Sequence, residues 1–244
     1  MTYPCDYEKI RKFYERIPVN GIRPDIIPSQ ICDASAYYNP PIDVLFIAES
    51  PPWSVIDDGD IKKGCDCHKD SYVYFYNQKY EKNTRGLASE IFSFLNFPEG
   101  TRKQNLSEFR KRHYFLTDSI KCVVKKNRKN IKQISKICAN GILNKEIAVI
   151  HPSYLVALGR TAIDALTEIA RNDPQKMIAF NPQNADLHEK LVKINFSQFT
   201  KDDQKDLFYS HNILVMPFPN NRTKNRYREL FEHGFTLIKE LKNE

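Results

Sequence analysis

Two acidic residues stand where short apolar runs end: Glu49 follows Val44-Leu45-Phe46-Ile47-Ala48, and Asp118 follows Tyr114-Phe115-Leu116-Thr117. A carboxylate so placed can hold a water and stabilise developing positive charge. A buried carboxyl has a raised pKa and keeps a proton to give. The six Cys (Cys5, Cys32, Cys65, Cys67, Cys122 and Cys138) form a second set. The opening Met-Thr-Tyr-Pro-Cys-Asp-Tyr-Glu lacks the charged and apolar regions of a signal peptide, so these Cys argue for thiols, a metal or a cluster rather than a disulfide framework. A third set is basic. Thirty-seven Lys and Arg against thirty Asp and Glu give +7, with the excess gathered around Lys121 to Lys132 and Arg222 to Arg228, and such clusters favour a polyanion.

The elements that must position these groups follow from pattern. Val44-Leu45-Phe46-Ile47, Tyr114-Phe115-Leu116-Thr117, Leu155-Val156-Ala157-Leu158 and Ile213-Leu214-Val215-Met216 read as buried strands. Helical patterns lie between them at Leu87 to Leu95, Ile131 to Ile150 and Thr161 to Ala170, and Tyr227 to Leu241 forms an amphipathic closing helix. Strands alternating with helices indicate an α/β fold, a three-layer α/β/α sandwich around a central four-stranded parallel sheet. Ligand sites in such folds lie beyond the carboxyl ends of the strands, here the loops starting at Ala48, Asp118, Gly159 and Pro217.

A chain of 244 residues suits one domain over residues 1–244. Residues 1–41 read as an extension, with a helix from Asp6 to Arg16 and a Pro-rich connection; residues 172–210 read as a polar insertion with one short helix from Asn184 to Val192. Apolar residues at 41% and charged residues at 27% are ordinary for a soluble protein, and no apolar run approaches the roughly 18 residues of a membrane span. The expectation is a cytoplasmic monomer.

The stretch Phe115-Leu116-Thr117-Asp118-Ser119-Ile120-Lys121-Cys122 is followed sixteen residues later by Cys138, and then by Pro152-Ser153-Tyr154-Leu155-Val156-Ala157-Leu158-Gly159. This arrangement resembles the middle of a uracil-DNA glycosylase, most closely the iron-sulfur, family four-like branch of that superfamily. That branch carries Thr-Asn-X-X-Lys-Cys, a second Cys at this distance and a Pro-X-X-X-Val-X-Leu-Gly strand. Ile47-Ala48-Glu49-Ser50-Pro51-Pro52-Trp53 is similar to the Gly-Glu-Ala-Pro-Gly motif that opens the pocket. The resemblance covers roughly residues 42–230 and implies DNA as partner, an extruded base, and hydrolysis of an N-glycosidic bond to leave an abasic site.

The resemblance also implies roles. Glu49 is the first catalytic candidate, positioning water or stabilising the sugar cation. Ser50 occupies the place where other branches put Asp or Asn, which makes Asp57 or Asp58 the alternative handlers of water. Pro52 falls beside carbon 5 of the base and, like the usual Gly, leaves room for a 5-substituent. Phe75 is expected to stack on the base, with Tyr76 second. Asn220, Asn221 and Arg222 form the wedge loop. Lys224, Arg226 and Arg228, with Lys125, Lys126, Arg128 and Lys129, would hold phosphates. Met216 takes the position of the family's His, and a thioether cannot donate to the departing base; help must then come from Asn220, Asn221 or Arg222. His151, in His151-Pro152-Ser153-Tyr154, resembles the missing motif but precedes the third strand.

Asp118 replaces the Asn that reads the base, and hydrogen bonding alone gives a consequence. Uracil presents an acceptor at O4 and a donor at N3, which suits an amide; an ionised Asp would meet O4 acceptor to acceptor. Cytosine presents a donor at N4 and an acceptor at N3. A carboxylate takes the first, and a shared proton bridges the second while making the base a better leaving group. Asp118 therefore points to cytosine or a cytosine derivative. Free excision of normal cytosine would be intolerable to a cell, so with Pro52 the expectation is 5-modified cytosine, as in some bacteriophage DNA, and a role in antiviral defence. The alternatives are a uracil-DNA glycosylase of repair with neutral Asp118, and a non-catalytic DNA-binding relative.

Cys122 and Cys138 match two of the branch's four cluster ligands. Its Cys-X-X-Cys before the first strand is missing, and Cys65-Asp66-Cys67 is the candidate to complete the set, with Cys5 and Cys32 as the alternative. Thiolates select an iron-sulfur cluster or zinc, here a 4Fe–4S cluster ahead of zinc, with no part in the chemistry itself.

Overall fold

The computed structural model describes residues 22–23, 37–49, 75–76, 86–121, 123–124, 128–172, 186–220 and 222–242. β1 (Ile22–Arg23) and β4 (Val123–Val124) form a small antiparallel pair. The four apolar runs pair in parallel as β2 (Val44–Ala48), β3 (Tyr114–Asp118), β5 (Tyr154–Leu158) and β6 (Ile213–Met216), in the order β3-β2-β5-β6. Both faces of this sheet are covered, which is why its strands read as apolar runs rather than alternating, with Thr117 and Asp118 polar at the end of β3.

One face packs against α1 (Leu87–Phe94), α2 (Arg102–Lys111) and the closing helix α9 (Arg228–Lys242); Phe46 of β2 meets Phe109 at 5.6 Å and Phe235 at 6.4 Å between ring centroids. The other face carries α3 (Arg128–Cys138), a π-helical turn (Ala139–Leu143), α4 (Asn144–Ile150), α5 (Arg160–Asn172) and α6 (Leu187–Lys193). The single helical pattern expected from Ile131 to Ile150 is thus interrupted midway by the π turn. α7 (Lys201–His211) lies along β6, where Gln204 Nε2 donates to the Val215 carbonyl at 2.9 Å and Phe208 stacks on Tyr154 at 5.1 Å. The short α8 (Thr223–Arg226) precedes α9.

Besides the four-residue α8, two helices exceed the sequence expectation. The reading of residues 172–210 found α6 but not α7, and α2 was not expected at all. Each buries a face at helical spacing, Arg102, Asn105, Leu106 and Phe109 in α2 and Gln204, Leu207, Phe208 and His211 in α7, but two of the four residues in each face are polar. The helix expected from Asp6 to Arg16 lies outside the described residues. No helix among the described residues is long and apolar enough to cross a membrane.

Register sets the site. Val44 pairs with Tyr114 and Ala48 with Asp118, so β2 and β3 end level. Side chains alternate across a strand. Thr117 therefore turns to the α3–α5 side, where its hydroxyl meets Glu146; Glu49 reaches Thr161 on that side, and Asp118 closes β3 at the same edge.

Candidate active site

The loops leaving β2 and β3 are tied together at the carboxyl edge of the sheet. Ser119 N–H donates to the Ala48 carbonyl at 2.9 Å. The Glu49 carbonyl accepts from Ile120 N–H at 3.0 Å and from Ser119 Oγ at 2.8 Å. A third loop converges here. Gly159, at φ 83°, donates its N–H to the Met216 carbonyl at 2.8 Å and turns the chain from β5 directly into α5. The first turn of α5 then presents Thr161, whose hydroxyl donates to Glu49 Oε2 at 2.7 Å.

Asp118 is buried beside this carboxylate, at 6% exposure. Burial pushes its pKa up to about 7; Lys121 opposes the shift, and Glu146 and Glu49 add to it. A carboxyl of this kind exists in both protonation states near neutral pH, and can donate or accept. Behind it, Lys121 forms an ion pair with Glu146, both buried, while Thr117 Oγ1 donates to Glu146 Oε1 at 2.9 Å and accepts from Lys121. The site thus combines a carboxylate fixed by a helix-borne hydroxyl with a proton-holding carboxyl on the neighbouring strand.

Residues 80–242, about two thirds of the chain, match the profile of the Uracil DNA glycosylase superfamily. The chain belongs to this superfamily. Neither comparison with curated proteins nor comparison with solved structures gives a match. The superfamily consists of DNA glycosylases, hydrolases that bind DNA. Its three-layer α/β/α fold is the one present here. The superfamily match takes in Asp118, Lys121, Cys138 and Gly159 and begins after Glu49.

The other expected site residues are placed as follows. Phe75, at 4% exposure, packs on Phe92, Phe109 and Tyr76, and the Tyr76 hydroxyl accepts from Leu116 N–H at 2.8 Å and donates to the Leu116 carbonyl at 2.9 Å. Both rings serve the core, and Tyr76 also caps the backbone of the edge strand β3. Met216 is fully buried, and its Sδ would lie 2.8 Å from a Cβ built on Gly234, so this side chain is turned into α9. The residue packed over the Gly159 turn is Phe218.

Asn220 serves the backbone of its own loop. Its Oδ1 accepts from Arg222 N–H at 2.9 Å and Thr223 N–H at 3.1 Å, in the turn that leads into α8. Arg222 is exposed, and Lys224 pairs with Glu90 of α1 at 2.8 Å. Lys121, counted with the basic cluster in sequence, is in fact interior and neutralised by Glu146. Cys138 is fully buried at the end of α3. Ser50, Pro52, Asp57, Cys65, Cys67, Cys122 and Asn221 lie outside the described residues.

Two concavities of about 260 and 390 Å³ occur elsewhere, one between α6 and α7 around Lys190 and Asp206, the other between α1 and α9 around Phe94 and Arg228. Neither includes Glu49 or Asp118. The residues that sequence reasoning missed are Thr161, in Leu158-Gly159-Arg160-Thr161, and Glu146. Their signals were a hydroxyl just after a strand-ending Gly, and an acidic residue on an otherwise apolar helix face.

Proposed function

We propose that this protein is a DNA glycosylase that hydrolyses the N-glycosidic bond of a cytosine-type base and leaves an abasic site. The observation that carries the proposal is Asp118, a buried carboxyl with a pKa raised to about 7, at the strand end beside Glu49. With the base extruded against the sheet edge, one Asp118 oxygen accepts from the N4 amino group and the proton on the carboxyl is shared with N3. Protonation at N3 lets the base depart without a strong donor to O2, which accords with Met216 being turned into the core. Glu49 faces the sugar, stabilises its developing positive charge and holds water on the far side. The resemblance that sets Pro52 beside carbon 5 supports a 5-modified cytosine as the preferred substrate and defence against bacteriophage DNA as the setting.

The 4Fe–4S cluster belongs to the same proposal. Cys138 is a buried Cys in the last turn of α3, and Cys122, Cys65 and Cys67 would complete the donor set that the resemblance implies. No step of the reaction passes through it. Iron and acid-labile sulfide in the purified protein, lost on Cys138→Ser, are the expected result.

A second reading is uracil excision, and the same observation favours it. With a pKa about 7, a large share of Asp118 is neutral at physiological pH and able to donate to O4. Mass spectrometry of bases released from DNAs containing uracil, cytosine, 5-hydroxymethylcytosine or glucosylated cytosine separates the readings. Release of a cytosine derivative supports the first, release of uracil alone the second, and DNA binding without release defeats both.

A further inference from the structure

We infer that Thr161 is the residue that positions Glu49 for the reaction, by holding one carboxylate oxygen so that the other faces the sugar and its attacking water. The inference rests on the reading of Glu49 as the catalytic carboxylate. The two residues are 112 positions apart in sequence, and the Thr161 hydroxyl donates to Oε2 at 2.7 Å. Among the described residues Oε1 makes no hydrogen bond, which leaves it as the oxygen directed at substrate.

The geometry differs from what a helical Thr ordinarily does. Thr167, two turns further along α5, donates its hydroxyl back to the Ile163 carbonyl at 2.7 Å, the usual local bond four residues earlier. Thr161 instead reaches across to the β2 loop. Its place in space is over-determined. The left-handed turn at Gly159 starts the helix, Ser135 Oγ of α3 donates to the Thr161 carbonyl at 3.2 Å, and Arg160 is held by Asp164 at 2.8 Å and the Ile194 carbonyl at 2.9 Å. Glu49 is fixed from its other end, since its carbonyl takes both Ile120 N–H and Ser119 Oγ. Backbone and carboxylate are thus clamped by separate elements, the arrangement a preorganised charge stabiliser needs.

A hydroxyl bond to a charged group is worth enough to change rate by roughly 10- to 100-fold if it is realised in the transition state. Thr161→Val keeps the shape and removes the donor; Thr161→Ser keeps the donor. Single-turnover base release on the substrate identified for the wild type is expected to fall by about that factor in Thr161→Val, with KM nearly unchanged, and to be restored in Thr161→Ser.

A binding assay reports independently of turnover, using one duplex with a cationic pyrrolidine abasic-site analogue and one with a neutral tetrahydrofuran analogue. Wild type and Thr161→Ser should prefer the cationic site, and Thr161→Val and Glu49→Gln should lose that preference while binding the neutral site as before. If Glu49→Gln loses the preference and Thr161→Val keeps it, Thr161 does not position Glu49. Equal loss in Thr161→Val and Thr161→Ser assigns Thr161 to packing and overturns the inference. If wild type shows no preference, or Glu49→Gln retains it, the catalytic reading of Glu49 fails first and takes the inference with it.

Discussion

Lys121 and Glu146 form an ion pair in the protein interior, one at the end of the β3 loop and the other in the first turn of α4, with the Thr117 hydroxyl touching both. The pair bears on Asp118 from two directions. Burial is the main cause that raises the Asp118 pKa; Lys121 opposes it, and Glu146 adds to it. The neighbouring carboxyl therefore keeps a proton despite a Lys only three residues away.

Removing one partner takes the opposite charge away from a buried ion, a change that destabilises by roughly 3–5 kcal/mol. Glu146→Gln and Lys121→Met should each lower stability by about that amount in urea unfolding at pH 7. The double variant Lys121→Met/Glu146→Leu should recover much of the loss, because desolvation of both charges is relieved together. Additive losses in the double variant would show that the two side chains act separately.

Asp118 gives a pH dependence with a definite sign. Its folded pKa of about 7 lies above the ordinary value of 3.8, so the folded state binds the proton more tightly than the unfolded chain. Stability from this group is therefore fully present below about pH 4 and is lost as pH rises toward 7. Asp118→Asn should flatten that slope and be relatively more stable at pH 8 than at pH 5, compared with wild type. Release of a cytosine-type base, which needs the protonated carboxyl, should decline as pH rises through about 7 and be abolished in Asp118→Asn, while uracil release improves. An unchanged pH profile in Asp118→Asn would remove Asp118 from the chemistry.

Tyr76 seals the outer edge of the sheet. Its hydroxyl bonds both backbone groups of Leu116 in the edge strand β3, at 2.8 and 2.9 Å, where unpaired groups would otherwise be buried. Tyr76→Phe should cost ~1–3 kcal/mol and speed hydrogen exchange at the Leu116 amide selectively. Slowed exchange, or a loss spread over the whole sheet with Leu116 unaffected, would contradict this role.

The sheet was legible because each strand is an unbroken apolar run, and parallel strands covered on both faces leave no polar alternation to confuse the reading. α2 and α7 were not, because Arg102 and Asn105 in one and Gln204 and His211 in the other occupy half of the buried face. Their better signal was at the start: Thr101 with Gln104, and Thr200 with Asp203, form reciprocal capping boxes. At the site, Glu49 and Asp118 could be found from the strand ends, but not their partners. Thr161 and Glu146 are brought in by the crossover helices from 112 and 28 residues away, a distance no local pattern encodes. Sequence position matched Met216 to the family's His but could not give the direction of its side chain, which turns toward Gly234.

Gly159 joins these parts, and substituting it tests them together. At φ 83° an L side chain is strained, and a Cβ would meet Phe218 Cβ at 2.8 Å and the Phe218 backbone N at 3.4 Å. Strain of this kind costs ~1–3 kcal/mol, and Phe218 can relieve it only by moving the β6 loop that its own backbone belongs to. Gly159→Ala should therefore lower thermal stability and also reduce base release by more than stability accounts for, since the turn sets where Thr161 meets Glu49. Thr200→Ala, at the start of the distant α7, should lose a comparable ~0.5–2 kcal/mol with base release unaffected at temperatures where both are folded. Parallel losses of activity in the two variants would mean that Gly159 acts through global stability alone.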